Sequence, residues 1–194
     1  MRTRREAITL LGGAAAAWPL AARAQQRRLP AIGFLHDASP AARTDELSGF
    51  HRGLKEVEFV EGENVAIVYR WAEGQLGRLP ALMVDLFRHL PAVIVVNDTT
   101  APAARAATRS VPIVLVSFGD PIEAGRVPGQ VFQCGAGTSE VPGCPIIDRL
   151  TFADIIRMGN VTGAYAASET DAYHLGGLVA GRLLRAPRPR DIPN

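Results

Sequence analysis

The sequence predicts an α/β fold in which a parallel sheet is flanked by helices. Four short apolar segments alternate along the chain with segments whose apolar residues follow helical spacing. Such alternation is typical of β-α-β units, which place parallel strands side by side and helices on both faces. The apolar segments are nearly continuous, as strands buried on both faces require.

The first part of this pattern contains two strands and the helix between them. Residues 31–35 form the first apolar run, and the polar residues 36–40 end it. Residues 65–69 form the second run, after a turn at 61–64. A helix is predicted between the runs because four apolar residues are spaced three, four and three apart. These residues are Leu47, Phe50, Leu54 and Val57.

Two further strands follow, each after a helical segment. Residues 79–90 carry a helical apolar stripe and lead to a strand at 92–96. The polar residues 97–100 can cap a short helix over 101–108. The fourth strand is predicted at 113–116.

The regular pattern stops near Arg126. Residues 127–148 contain several Gly and Pro and no sustained periodicity, so we expect an irregular, disordered join. Helical spacing returns later, in a helix that begins near residues 169–171 and ends before Pro187. Its apolar face is formed by Leu175, Leu178, Val179 and Leu183.

The first 24 residues have the pattern of an export signal. Arg2, Arg4 and Arg5 give a positive start, and an apolar run follows over 7–17. A small-x-small site predicts cleavage after Ala24. The arginine pair at 4 and 5 is typical of the twin-arginine type. We therefore expect a periplasmic protein.

The alternative for this segment is a membrane anchor. Thr9, Gly12, Gly13 and Pro19 interrupt the apolar run, which is shorter than the roughly 20 residues that span a bilayer. We therefore expect a chain that does not span the membrane after signal cleavage.

Net charge argues against a nucleic-acid partner. The chain has 21 Lys and Arg and 19 Asp and Glu. Removing the four Arg and one Glu of residues 1–24 leaves 17 basic and 18 acidic residues, a net charge of −1. Scattered His and Cys show no metal-ligand spacing, so no metal or cofactor is predicted. Cys134 and Cys144 could pair in an exported protein.

Ligands of open parallel sheets bind where the strands end at their carboxyl edge. Three polar loops follow predicted strands, at residues 36–40, 97–100 and 117–121. Helix N-termini at such loops favour anions, although the same side chains can simply cap helices. Sequence motifs of hydrolases, P-loops and dinucleotide-binding folds are absent.

Several segments resemble the exported solute-binding proteins of ABC transporters. The similarity extends from Arg4 to about Gly125 and includes IGFLHDASP, GLKEVEFVEGENVAIVYRWAEGQ and VPIVLVSFGDPIEAGRV. A second similar segment is AYAASETDAYHLGGLVAGRLLRAPRPRDIP. This resemblance implies a type I periplasmic binding fold, a clamshell of two α/β lobes, with most of the second lobe missing here.

The resemblance also implies a division of the chain. The expected parts are an export signal, an N-terminal α/β lobe, an irregular join, and a remnant of the second lobe with the C-terminal helix. They cover residues 1–24, 25–126, 127–148 and 149–194 respectively.

A member of this family would capture a small polar solute, amino-acid-like or carboxylated, for an inner-membrane ABC permease, and would not be an enzyme. Hydroxyls and backbone amides would hold an anionic end, and Asp98 or Asp120 an amino group. With one lobe incomplete, weak or lost binding is expected. The candidate contacts are Ser39, Asp98, Thr99, Thr100, Gly119 and Asp120 in the first lobe, and Tyr165 and Ser168 in the late segment.

Two other function classes remain open from the sequence. A small flavodoxin-like hydrolase or transferase would need a nucleophile and base, and His36, Asp37 and Ser39 lie nearest to that pattern. A protein-interaction module would use the apolar surface that a second lobe would otherwise cover.

Overall fold

The computed structural model describes residues 29–118, 161–166 and 168–186. Within these ranges the chain forms five β-strands and four α-helices. The strands are β1 (Ala31–His36), β2 (Ala66–Trp71), β3 (Val93–Asn97), β4 (Ile113–Phe118) and β5 (Val161–Ala166). The helices are α1 (Thr44–Glu56), α2 (Leu79–Phe87), α3 (Ala101–Ala107) and α4 (Glu169–Arg185), with short 3-10 turns at Pro40–Ala42 and Leu76–Arg78.

All five strands are parallel and form one sheet in the order β2-β1-β3-β4-β5. The chain first moves outward from β1 to β2 and then returns to place β3 on the other side of β1. The direction of winding therefore reverses between β1 and β3, the position at which such sheets leave a crevice at their carboxyl edge.

Alternating side chains of the strands supply the two apolar layers. Phe34 and Val95 face α1 and α4, whereas Leu35 and Ile94 face α2 and α3. Both layers consist of fully buried aliphatic and aromatic side chains. Burial on both faces explains why β1, β3 and β4 read as continuous apolar runs, whereas the edge strand β2 is half-buried. The predicted α/β class, a parallel sheet flanked by helices, is confirmed.

The helix predicted from the apolar stripe over 79–90 is longer than the helix in the structure. Helix α2 ends at Phe87, and Leu90 is 74% exposed with a φ of 51°. A residue with a left-handed backbone conformation cannot continue a right-handed α-helix. The turn into β3 therefore begins before the helical spacing of apolar residues ends.

The late segment contributes a strand and a helix to the described structure. Residues 149–194 were expected to hold a remnant of the second lobe and the C-terminal helix; within them, β5 pairs with β4, with Val114 opposite Thr162. Helix α4 then packs on α1 and covers β4 and β5. The apolar edge of β4 and the small residues Gly163 and Ala164 explain this pairing, because small side chains leave room for the covering helix. Residues 1–24 and 127–148 lie outside the described ranges.

Helices α1 and α4 touch through their backbones. A Cβ atom at Gly53 would lie 2.0 Å from the carbonyl oxygen of His174, and one at Gly177 would lie 2.2 Å from that of Phe50. Gly49 approaches the carbonyl of Thr170 in the same way. Only glycine permits helices to approach so closely.

Polar contacts border this helix pair. His174 Nε2 lies 2.8 Å from Glu56 Oε1, and Arg185 donates to the carbonyl of Val57 at 2.6 Å. The Arg185 guanidinium also lies 5.7 Å from the ring centre of Phe59. Each exposed polar contact contributes little stability. The close backbone packing at the glycines therefore dominates the stability of the interface between α1 and α4.

No helix in the described part of the chain has the length and apolar character needed to cross a membrane.

We predict that Gly53→Ala destabilises the fold by about 2–3 kcal/mol, because the added methyl group forces the two helix backbones apart. Urea unfolding followed by circular dichroism measures this free energy. Gly77→Ala is the matched control, since no atom lies within 4 Å of its added Cβ. Equal stability of both variants and the wild type would show that α1 and α4 do not pack as described.

Candidate ligand-binding site

A cavity of about 210 Å³ lies at the carboxyl edge of the sheet, beside the reversal between β1 and β3. The N-terminal turn of α4 forms its opposite wall. Most lining side chains are polar or charged. The described lining residues are His36, Asp37, Arg43, Asn97, Asp98, Thr99, Val116, Ser117, Glu169, Ala172 and Tyr173.

Arg43 joins two walls of the cavity. Its Nη1 atom donates to Glu46 Oε1 at 2.8 Å and to Glu169 Oε2 at 2.7 Å. The hydrogen bond to Glu46 is the main reason that the pKa of Arg43 is raised. Burial is the largest single effect on the Glu46 carboxyl and would raise its pKa, but the hydrogen bond from Arg43, further hydrogen bonds and the charge of Arg43 together leave that pKa lowered. The start of α1 is thereby tied to the start of α4.

His36 ends β1 at the base of the cavity and is 2% exposed. Its Nδ1 accepts the backbone N–H of Ala38 at 3.0 Å, which assigns the proton of the neutral ring to Nε2. Burial lowers the pKa of His36 to about 4, against the opposing effect of the nearby Asp37 carboxylate. The imidazole is therefore neutral at physiological pH.

A chain of hydrogen bonds holds Asp37 in place. Asn97 Nδ2 donates to Asp37 Oδ1 at 2.7 Å, and the Thr100 hydroxyl lies 2.7 Å from Asn97 Oδ1. The same Thr100 oxygen also lies 3.2 Å from the carbonyl oxygen of Leu35. The ends of β1 and β3 are thus connected, and the Asp37 carboxylate is fixed before any ligand arrives.

Asp98 connects β3 with β4. Its Oδ2 accepts the hydroxyl of Ser117 at 2.9 Å. Ser117 is buried, whereas Asp98 is partly exposed to the cavity. This bond orients a carboxylate at the cavity wall.

Tyr173 closes the side formed by α4. It is 5% exposed, and its hydroxyl has no hydrogen-bond partner among the described residues. Burial raises the pKa of the phenol, so the group is uncharged. The ring lies 6.0 Å from that of His36 and 5.9 Å from that of Phe34.

Two predicted first-lobe contacts, Asp98 and Thr99, line the cavity. Thr100 is fully buried behind it and orients Asn97. Ser39 begins the 3-10 turn after β1 and is not among the lining residues described above. Asp98 and Thr99 therefore remain the first-lobe candidates for direct contact.

The late-segment candidates are placed differently. Ser168 caps α4, since its hydroxyl oxygen accepts the Asp171 N–H at 3.1 Å. The backbone of Tyr165 pairs with that of Ser117. Gly119 and Asp120 lie outside the described residues.

Among the lining residues that sequence reasoning missed are Arg43, Glu169 and Tyr173. Glu169 and Tyr173 are four residues apart and share one face of α4, which the helical spacing alone could have shown. Their meeting with Arg43 depends on a contact 126 residues away in sequence. No local pattern contains that information.

No group of His, Cys, Asp and Glu side chains suited to holding a metal ion occurs within residues 29–118, 161–166 and 168–186.

Comparison with known families decides the identity of the chain. The sequence profile described as ABC transporter substrate binding protein matches residues 32–135, more than half of the chain. The chain belongs to this family. The resemblance seen in the sequence is therefore confirmed, and the five-stranded parallel sheet corresponds to one lobe of a type I periplasmic binding fold.

Several solved structures are similar to this member of the family. A conserved domain protein from Vibrio cholerae is 17% identical, with a TM-score of 0.47. The match covers 83% of this chain and 73% of that protein. A ligand-free, open substrate binding protein with adhesive properties from Clostridium difficile is 20% identical, with a TM-score of 0.47 and coverages of 72% and 58%. An ABC domain in complex with L-Trp from Streptococcus pneumonia is 18% identical, with a TM-score of 0.45 and coverages of 73% and 58%.

The chain thus spans 58% of the length of two of these proteins. No curated protein matches its sequence significantly.

We predict that His36 makes the fold sensitive to acid. The unfolded ring titrates near 6.5 and the folded ring near 4, so between these values the unfolded chain binds a proton that the folded chain does not. Stability therefore falls as the pH drops through this window and is unaffected by His36 above it. From pH 7 to pH 5 the wild type should lose about 1–2 kcal/mol relative to His36→Phe. Urea unfolding at both pH values measures this difference, and parallel pH profiles would contradict it.

Proposed function

We propose that this chain captures a small polar solute, amino-acid-like or carboxylated, and presents it to an inner-membrane ABC permease. The observation that carries this proposal is the polar cavity at the reversal point of the sheet, the usual ligand position in open parallel sheets. Membership of the substrate-binding family supports it.

The dimensions of the cavity favour a small ligand. A volume of about 210 Å³ lies below the range of about 300–1,000 Å³ typical of drug-sized sites. Fixed carboxylates, hydroxyls and an amide line it, and such groups recognise a small polar molecule through hydrogen bonds. Within the described lining, aliphatic contact is limited to Val116 and Ala172.

The arrangement of His36 favours binding over catalysis. A hydrolase or transferase would need this imidazole as a general base close to a nucleophile. Its Nδ1 instead accepts the N–H of Ala38, and its pKa of about 4 makes it a weak base at neutral pH. We therefore propose a binding protein that is not an enzyme.

The proposed place of action is the periplasm. The twin-arginine-like pattern of residues 1–24 supports export, with cleavage after Ala24.

We predict that the chain from Gln25 onward binds one or more members of a panel of amino acids and short carboxylates. Isothermal titration calorimetry should give dissociation constants of roughly 10 μM to 1 mM. Absence of binding across the whole panel would overturn solute capture.

A bulky side chain at the cavity wall tests whether the ligand binds in the cavity. Thr99 is exposed at the cavity wall, so Thr99→Trp should block the cavity without disturbing the core and weaken binding by at least about tenfold. Ser48→Trp, at an exposed position on α1, is the matched control and should bind like the wild type. Unchanged binding by Thr99→Trp would place the ligand elsewhere.

We predict that the paired substitution Arg4→Lys and Arg5→Lys stops export of a C-terminally tagged chain, because the receptor of this pathway reads the arginine pair. Cell fractionation and N-terminal sequencing measure the result, with Gln25 expected as the first residue of the exported wild type. Arg2→Lys is the control and should be exported normally. Export of the paired variant would assign the signal to another route.

A further inference from the structure

We propose that the ligand of this cavity carries a protonated amine and a net positive charge, and that Asp37 receives the amine. This inference rests on the proposed function and narrows the class of solute. It follows from the charges of the lining residues, the partners of Asp37 and the unpartnered hydroxyl of Tyr173.

Negative charge dominates the described lining. Asp37, Asp98 and Glu169 contribute three carboxylates, and Arg43 contributes one guanidinium. His36 adds no positive charge, because it is buried as the neutral ring. A carboxylate ligand would therefore meet net repulsion, whereas a cation would be attracted.

The single guanidinium is already engaged. Arg43 Nη1 lies within 2.8 Å of carboxylate oxygens from both Glu46 and Glu169. Recruiting Arg43 to a ligand carboxylate would break contacts that connect α1 with α4. Arg43 therefore maintains the walls of the cavity and is poorly suited to binding an anion.

Asp37, unlike Arg43, is suited to direct contact with a charged ligand. Its described hydrogen-bond donor, the Asn97 amide, is neutral, and so is the imidazole of His36, whose Nδ1 lies 3.0 Å from Asp37 Oδ1. The side chain is 29% exposed, so it faces the cavity while its orientation is fixed from behind by Asn97 and Thr100. A preorganised carboxylate without a cationic partner among the described residues is well suited to an ammonium group.

Tyr173 gives independent support for a ligand. Its side chain lines the cavity and is more than nine-tenths buried, yet its hydroxyl lacks a hydrogen-bond partner in the described structure. Buried polar groups are normally satisfied, and a ligand amine can donate to the phenolic oxygen. The face of an aromatic ring also attracts cations. Both properties favour the same ligand group.

The test compares four probes on the chain from Gln25 onward by calorimetry at low salt. They are L-lysine, 1,4-diaminobutane, L-leucine and succinate. The two cationic probes should bind at least about tenfold more tightly than leucine, and succinate should give no binding heat. Raising the salt concentration should weaken the binding of the cationic probes.

Asp37→Asn removes the charge and retains the shape of the side chain. It should weaken lysine binding by about tenfold or more. Glu63→Gln is the matched control, since Glu63 is exposed and lies outside the cavity lining. It should change lysine binding by less than about twofold.

The outcomes separate this inference from the proposed function. Leucine or succinate binding as tightly as lysine would leave solute capture intact and overturn the amine assignment. Wild-type affinity of Asp37→Asn for lysine would overturn the role of Asp37. If all four probes fail but another member of the wider panel binds, the assignment of an amine ligand is wrong and solute capture remains. If no compound of either set binds, both proposals are overturned.

Discussion

Backbone contact between α1 and α4 is the constraint on which the rest of this lobe depends. Gly49 and Gly53 of one helix and Gly177 of the other bring carbonyl groups to distances that no Cβ atom would allow. This approach places α4 over β4 and β5 and closes the larger apolar layer around Phe34. Steric fit rather than surface charge sets the position of the helix, because the surrounding ion pairs are exposed and individually weak.

The cavity is a consequence of the same contact. Once α4 lies against α1, its first turn brings Glu169 to Arg43 and places Tyr173 beside His36. The remaining wall comes from the ends of β1, β3 and β4, connected through Asn97 and Ser117. Strand ends, the turns that follow them and the first turn of α4 supply the described walls, and the hydrogen bonds among them orient the polar groups before a ligand arrives.

Much of the fold could be predicted from the sequence because its signals are local. Continuous apolar runs indicated β1 to β4, and helical spacing indicated α1, α2 and α4. Asp98 and Thr99 were found as cavity residues because they directly follow β3. The role of Arg43 and the placement of β5 in the first sheet were not predictable, since both depend on pairing between segments far apart in sequence. The end of α2 was missed because the left-handed turn at Leu90 carries an apolar residue.

The bond between Arg43 and Glu169 spans 126 positions in sequence, which has a consequence for how the lobe folds. Contacts between such distant segments form late, because the entropy of closing a long loop must first be overcome. We therefore expect the cavity to be completed late in folding, when α4 docks on α1. A solute that binds only the finished cavity would hold that helix in place and shift the folding equilibrium toward the native lobe. Under the proposed function, a higher solute concentration would therefore raise the fraction of chains that are folded.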